Sequence, residues 1–220
     1  MPIIPTTVNK FIYLASQSPR RRQLLDQLGV YHELLLPDSD EDVETLEQMR
    51  SNEAPVTYVK RVTQLKLDAA LQRLKRRGLP WAPVLCSDTT VALGRTIYGK
   101  PVDLADATRM LTELSGTTHR VLTAVALGTA RRREQVLSVS RVTFAAMSPG
   151  QIRSYVNSGE SLGKAGAYAV QGRAAAFISH ISGSYSGIMG LPLFETAQLL
   201  KSFEFLRDSP KRSVAMPPTD

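Results

Sequence analysis

The chain is poor in the residues that staple a fold or hold a transition metal. Its 220 residues contain one cysteine, Cys86, so no disulfide can close within the chain, and only three histidines, too few for a Cys/His zinc cluster. A reducing, cytoplasmic setting is the expectation. Aromatic residues make up only 6%, thin for a protein that stacks on bases, and no RNA- or DNA-binding motif is visible. No run approaches the roughly 18 uninterrupted apolar residues of a membrane span, and the N-terminal stretch lacks a charged segment leading into an apolar one. Neither a membrane partner nor export is expected. GxxxxGK[ST], GxGxxG after a strand, HExxH and GxSxG are all missing, which removes the common nucleotide-loop, metalloprotease and serine-hydrolase signatures.

What is present is the composition of a folded globule, 43% hydrophobic and 21% charged. There is no internal repeat and no convincing linker, so a single α/β domain over residues 1–220 is expected, with a core of about 10–205 and loose tails at 1–8 and 207–220. The 27 lysines and arginines exceed the 20 acids, for a net charge of +7. The excess is local. Residues 37–53 hold seven acids against Arg50, residues 60–77 hold seven cations against Asp68, and Arg131, Arg132 and Arg133 form a third cluster beside Glu134. A basic run can serve nucleic acid, an anionic surface or a small polyanion, and a solvated basic face is the simpler meaning of each.

Apolar spacing orders the elements. Lys10–Ala15 reads as a strand, followed by a helix opening at Ser18-Pro19 and stopped by Gly29, then a strand over Tyr31–Leu36. The acidic stretch after it reads as a loop or a frayed helical segment. A long helix runs from Pro55 to Arg77, a strand from Val84 to Leu93, and a helix capped by Asp103 reaches about Ser115. Arg120–Thr129 and Val136–Ala145 suggest a hairpin with the arginine cluster in its turn. Ser148-Pro149 starts another helix, residues 159–172 look like an ordered binding loop or irregular strand, Ala174–Ile181 is a strand candidate, and a last helix follows Pro192.

Two places carry chemistry. Ser16-Gln17-Ser18-Pro19-Arg20-Arg21-Arg22 lies where a strand hands over to a helix, so free backbone N–H groups, hydroxyls and guanidinium forks stand together as a phosphate site. A capping serine followed by solvent-exposed arginines accounts for the same residues. Asp88 sits mid-strand among Val84, Leu85, Val91 and Leu93, where a carboxylate needs a partner or a metal, a bond to nearby backbone being the plainer role. Lys66, Lys100 and Lys164 are further phosphate candidates, a surface lysine being the plainer reading of each alone. Cys86 has no sequence-adjacent histidine to activate it and reads as packing.

Leu14–Gly29 (LASQSPRRRQLLDQLG), Ser87–Pro101 (SDTTVALGRTIYGKP), Leu114–Leu127 (LSGTTHRVLTAVAL), Lys164–Gly172 (KAGAYAVQG) and Gly183–Pro192 (GSYSGIMGLP) together resemble, in order, the Maf family of nucleoside triphosphate pyrophosphatases. The resemblance implies a mixed, elongated β-sheet flanked by helices, similar to the inosine triphosphate pyrophosphatases. It implies a cleft for a triphosphate, a divalent cation (Mg²⁺ or Mn²⁺) and a homodimer. By the same resemblance Asp88 is the catalytic aspartate, and Ser16, Ser18, Arg20, Lys66 and Lys100 are substrate-binding positions, with Lys164 added from the glycine-rich loop. Glu41 matches an acidic cleft position and, with Asp88, is the expected metal side. Arg21, Thr89 and Gln171 match the subgroup acting on dTTP and UTP. Cys86-Ser87 and Thr123-Ala124 depart from the glycine-containing pairs common there. A nucleotide-binding regulator of cell division that does not hydrolyse, and a basic nucleic-acid-binding module, are the rival readings.

Overall fold

A computed structural model describes residues 11–39, 41–42 and 45–205. The tails expected at 1–8 and 207–220, and the acids Asp40 and Glu44, lie outside the described residues. Seven strands form one mixed sheet: β1 (Ile12–Leu14), β2 (His32–Leu34), β3 (Val84–Leu93), β4 (Thr96–Tyr98), β5 (Thr118–Gly128), β6 (Arg133–Phe144) and β7 (Ile178–Ser182). Their order is β2-β1-β3-β5-β6-β7, with β4 also paired to β3. β1 runs parallel to both β2 and β3, and every other pair is antiparallel. Helices α1 (Pro19–Gln27), α2 (Pro55–Arg76), α3 (Leu104–Leu114), α4 (Pro149–Asn157), α5 (Tyr185–Met189) and α6 (Leu193–Ser202) cover both faces. The mixed, helix-flanked sheet is the one expected. Among the described residues no helix is long and apolar enough to cross a membrane.

β3 organises the molecule, because its alternate residues serve opposite faces. Val84 and Cys86 pack under Leu67, Leu71 and Leu74 of α2, whereas Leu85 packs with Leu24, Leu25 and Leu199 of α1 and α6. One edge of β3 is paired to β5 from Val84 to Ala92. The other edge meets β1 at Val84–Leu85 and β4 at Val91–Leu93, and between them Cys86–Thr90 has no strand beside it among the described residues. Asp88 stands in that gap.

The chain departs from its expected elements where they are short. β2 is half the length anticipated, and β4 and α5 carry too few residues to show a period; of the two readings of residues 159–172 the loop is the one observed, as turns with a 3₁₀ segment, Ala165–Ala167. Gly166 explains this last result: at φ +69° a Cβ would come within 2.9 Å of the Val91 side chain, so only glycine lets the loop lie on β3. Ala174–Phe177 belongs to a 3₁₀ helix, and the strand begins at Ile178. The expected hairpin is present, with Arg131 and Arg132 in its turn and Arg133 opening β6. Two of these arginines are engaged within the fold: Arg132 binds Glu134 and lies 4.4 Å over the Phe203 ring, and Arg133 binds Asp68.

Beneath α3 and α4 lies a buried aromatic group in which His119 stacks edge-on against Phe144 and Tyr168 and shares a 2.8 Å hydrogen bond with the Tyr168 hydroxyl. Burial pushes the imidazole down to about 4. The unfolded chain therefore binds a proton that the folded chain refuses, so stability falls as pH drops from about 6.5 toward 4, by on the order of 3 kcal/mol in full. Urea denaturation between pH 7 and 5 checks this: the wild-type slope is expected to be steeper than that of His119→Leu, and parallel curves would refute it.

Candidate active site

The cleft opens along the uncovered edge of β3 and has a volume of about 550 Å³. Ser16, Ser18, Arg20, Arg21, Lys66, Asp88, Thr89, Lys100, Lys164 and Gln171 all line it. Residues separated by more than 150 positions thus converge on one cavity, which no isolated surface cluster would do. Six cations, counting Arg73, face two carboxylates, Glu47 and Asp88.

The order of the local chain explains each position. β1 releases the sheet after Ala15, and the turn Ser16–Ser18 swings away from β3 before α1 begins. The Ser18 hydroxyl caps α1 by accepting from Arg21 N, and Pro19 opens the first turn without needing a backbone partner. Lys66 and Arg73 occupy the same stripe of α2 as Val59, Val62 and Ala70, the stripe that faces the sheet. That placement drives two cations into the interior, where each must find an anion.

Lys66 finds two. Its Nζ lies 2.6 Å from Asp88 Oδ1 and 2.6 Å from Glu47 Oε1. Lys100 Nζ donates to Glu47 Oε2 at 3.0 Å, so an ammonium, a carboxylate, a second ammonium and a second carboxylate form one chain of charges. Burial opposes the charge on Lys66, but Asp88 and Glu47 outweigh it and raise its pKa, holding the side chain as ammonium. Glu47 is lowered despite its own burial, through Lys66 and Lys100. The Tyr58 hydroxyl donates to the Glu47 carbonyl at 2.8 Å and ties the short 3₁₀ turn Thr45–Glu47 to α2.

Glu41, expected at the metal side, does not reach the cleft. Arg73, itself only 3% exposed, grips Glu41 through its guanidinium fork, with Nε 2.9 Å from Oε1, and Arg76 binds the same carboxylate. Those hydrogen bonds hold the Glu41 carboxyl below its ordinary pKa. Among the described residues no other carboxylate is bonded to the buried guanidinium, and this pairing holds Glu41 away from the cleft. Its expected place beside Asp88 is taken by Glu47, in the same acidic stretch but on a turn with no apolar period to single it out. Arg73 and Tyr58 are likewise cleft residues that motif reasoning missed, although the α2 stripe marks both.

On the opposite face of β3, Arg21 Nε donates to the Gly190 carbonyl at 2.9 Å, and its two terminal nitrogens reach Ser16 Oγ at 3.3 Å and Thr89 Oγ1 at 3.4 Å. Burial lowers the Arg21 pKa against the opposing pull of Asp88, with Arg20 adding to the fall. Gly190 ends α5 at φ +117°, and a Cβ there would sit 3.4 Å from Arg21 Nε, so glycine lets the guanidinium lie against the backbone. Cys86 is fully buried and its thiol is pushed up to about 12, which keeps it protonated and inert.

Among the described residues no three His, Cys, Asp or Glu side chains gather as a metal cage. The donor set for a cation is Asp88 and Glu47, two hard oxygen donors flanking one ammonium. This suits Mg²⁺ or Mn²⁺, which take one or two carboxylates and complete their shells with water and phosphate oxygens.

The family model described as Maf-like protein matches residues 11–203. A dTTP/UTP pyrophosphatase from Albidiferax ferrireducens is 81% identical over 198 residues, covering 90% of this chain and 99% of that one. Proteins of the same name from Polaromonas sp. and Cupriavidus metallidurans are 69% and 62% identical, over 87% and 88% of this chain and 95% and 97% of theirs. A solved structure, that of the Staphylococcus aureus Ham1 protein, aligns over 89% of this chain and all of its own, at 12% identity and a TM-score of 0.46.

Replacing the bridging ammonium tests the charge chain directly. In Lys66→Met the two carboxylates lose the cation between them, and the Glu47 carboxyl is expected to titrate higher than in the wild type. Carbon-13 NMR titration of the side-chain carboxyl reads the shift, and an unmoved midpoint would show that Lys66 does not hold it.

Proposed function

The chain belongs to the Maf family, and from that premise we propose that it hydrolyses dTTP and UTP to the monophosphate and pyrophosphate, within a single domain whose core is about residues 10–205. The observation that carries this reading is the cleft's charge: with Arg73 neutralised by Glu41, five cations against two carboxylates leave it three positive, facing a nucleoside triphosphate that brings close to four negative charges. A cation about 4 Å from a phosphate charge contributes on the order of 4 kcal/mol at an effective dielectric near 20, before desolvation. Several together are needed, because water attacking a tetra-anion is otherwise repelled.

Arg20 binds phosphate oxygens, joined by Lys100 and Lys164 across the cleft. Lys66 turns its ammonium toward the same oxygens while remaining paired to Asp88. The Asp88 carboxylate orients the attacking water and accepts its proton as oxygen bonds to the α-phosphorus, and pyrophosphate departs with the electron pair of the broken bond. Glu47 and Asp88 would hold a divalent cation, which when bound neutralises phosphate charge. Arg21, Thr89 and Gln171 choose the base. Cytoplasmic residence suits the free thiol of Cys86, and a homodimer is the expected assembly.

Asp88→Asn keeps the side chain's shape and removes the base, so kcat for UTP is expected to fall between about 10² and 10⁴-fold. Glu47→Gln should lose activity as well, whereas Glu41→Gln should chiefly lower the thermal midpoint. The assay separates products: monophosphate plus pyrophosphate is expected, and diphosphate plus phosphate would mean that a different bond is cut. Near wild-type turnover by Asp88→Asn would sink its role.

A further inference from the structure

We propose that Thr123, a residue that does not line the cleft, is a positioning residue that fixes the hydrogen-bond polarity of Thr89 and thereby separates uracil and thymine from cytosine. The inference deepens the proposed function and rests on its reading that Thr89 meets a pyrimidine base.

The number of hydroxyl protons fixes the direction of the Thr89–Thr123 bond. Thr123 is 1% exposed and stands directly across from Thr89, on β5. Its hydroxyl donates to the Gly187 carbonyl at 2.7 Å, which uses its one proton, since a carbonyl can only accept. The two threonine oxygens are 3.0 Å apart, a hydrogen-bond distance in which either could be the donor. With the Thr123 proton spent, Thr89 must supply the proton of that bond. Thr89 lines the cleft and its oxygen is left as an acceptor, to which Arg21 already donates across 3.4 Å. Thr89 is therefore an acceptor toward any base, and Arg21 is a donor.

This polarity matches one pyrimidine edge. Uracil and thymine present an acceptor, a donor and an acceptor, O4, N3–H and O2. Cytosine presents an amino donor and an unprotonated N3. An acceptor at Thr89 beside donors at Arg21 pairs with N3–H and an adjacent carbonyl, and it meets cytosine N3 lone pair to lone pair. The relay is anchored on α5, because Gly187 accepts from Thr123 while Gly190 accepts from Arg21 Nε and from the Ser87 hydroxyl at 2.9 Å. The glycine-rich segment from 183 to 192 thus acquires a task, which is to supply the two carbonyls that orient the side chains above it.

Thr123→Val keeps the shape and deletes the hydroxyl, and the Gly187 carbonyl retains the Gly190 N–H at 3.0 Å, so the variant leaves no orphaned acceptor. Freed from its obligation, Thr89 can donate to cytosine N3. The expected result is that kcat/KM for UTP falls and that for CTP rises, so that the UTP-to-CTP ratio drops at least about tenfold. Thr123→Ser, which keeps the hydroxyl, should retain the wild-type ratio. Should the valine variant not fold, Thr123→Ala removes the same group without added bulk. A merely structural role would lower both substrates alike, and either that or an unchanged ratio overturns the proposal. A wild-type enzyme that cleaves neither UTP nor dTTP overturns the parent reading, and this inference with it, before any variant is made.

Discussion

Everything functional in this molecule depends on one gap in hydrogen bonding. β1 arrives parallel and β4 antiparallel on the same edge of β3, each pairing with one end only, so among the described residues the backbone of Cys86–Thr90 is left without a strand neighbour on that side. An unpaired sheet edge inside a fold would ordinarily be covered. Here it opens a cleft reaching both faces of the sheet. Pleating then distributes the chemistry: Asp88 points to the α2 face and Lys66, while Thr89 points to the α1 and α5 face and Arg21. In the proposed function adjacent residues of one strand therefore serve the reacting phosphate and the base, and their separation is set by backbone geometry rather than by side-chain packing.

Placing charges on the buried stripe of α2 creates an obligation that shapes the surrounding loops. Arg73 recruits Glu41 and the Leu35 carbonyl, and Arg76 and Arg77 take Asp38. Lys66 recruits Glu47 and Asp88. The acidic stretch thus lies down along the basic helix, and two regions of opposite sign in the sequence become one neutralised surface. A guanidinium fork and a point ammonium behave differently within it. Arg73 holds Glu41 through paired bonds and acts as a fixture, whereas Lys66 has three rotatable donors and can exchange a carboxylate oxygen for a phosphate oxygen.

The sequence announced the parts whose signal is local and strong. β3, α2, α3 and the β5–β6 hairpin were legible from apolar runs and caps such as Asp103 and Ser148, and ten of the proposed site residues share the cleft. Glu47 was not legible, since a carboxylate on a three-residue turn is placed by what α2 presents to it and seven acids compete in that stretch. Glu41 matched the motif by position but lost to the nearer demand of Arg73. The threonine relay was invisible for another reason. Thr89 and Thr123 meet only through strand register, and the direction of their bond is decided by the Gly187 carbonyl, which comes from a third, distant segment.

The cleft's surplus of cations raises a problem that its two carboxylates help to solve. Cations that grip every phosphate oxygen bind substrate and product alike, and uniform binding of that kind lowers KM without speeding the chemical step. Glu47 and Asp88 offset part of the attraction through Lys66 and Lys100, so the ground state is held less tightly than the cation count suggests. In the proposed reaction, as water adds to the α-phosphorus, Asp88 takes a proton and loses its charge, and Lys66 is released from half of its pairing at the moment the equatorial oxygens and departing pyrophosphate gain negative charge. The ammonium then interacts more strongly with the transition state than with the bound substrate. A carboxylate beside a phosphate-binding lysine, costly in a site that only bound nucleotide, is thus what makes the lysine's attraction differential.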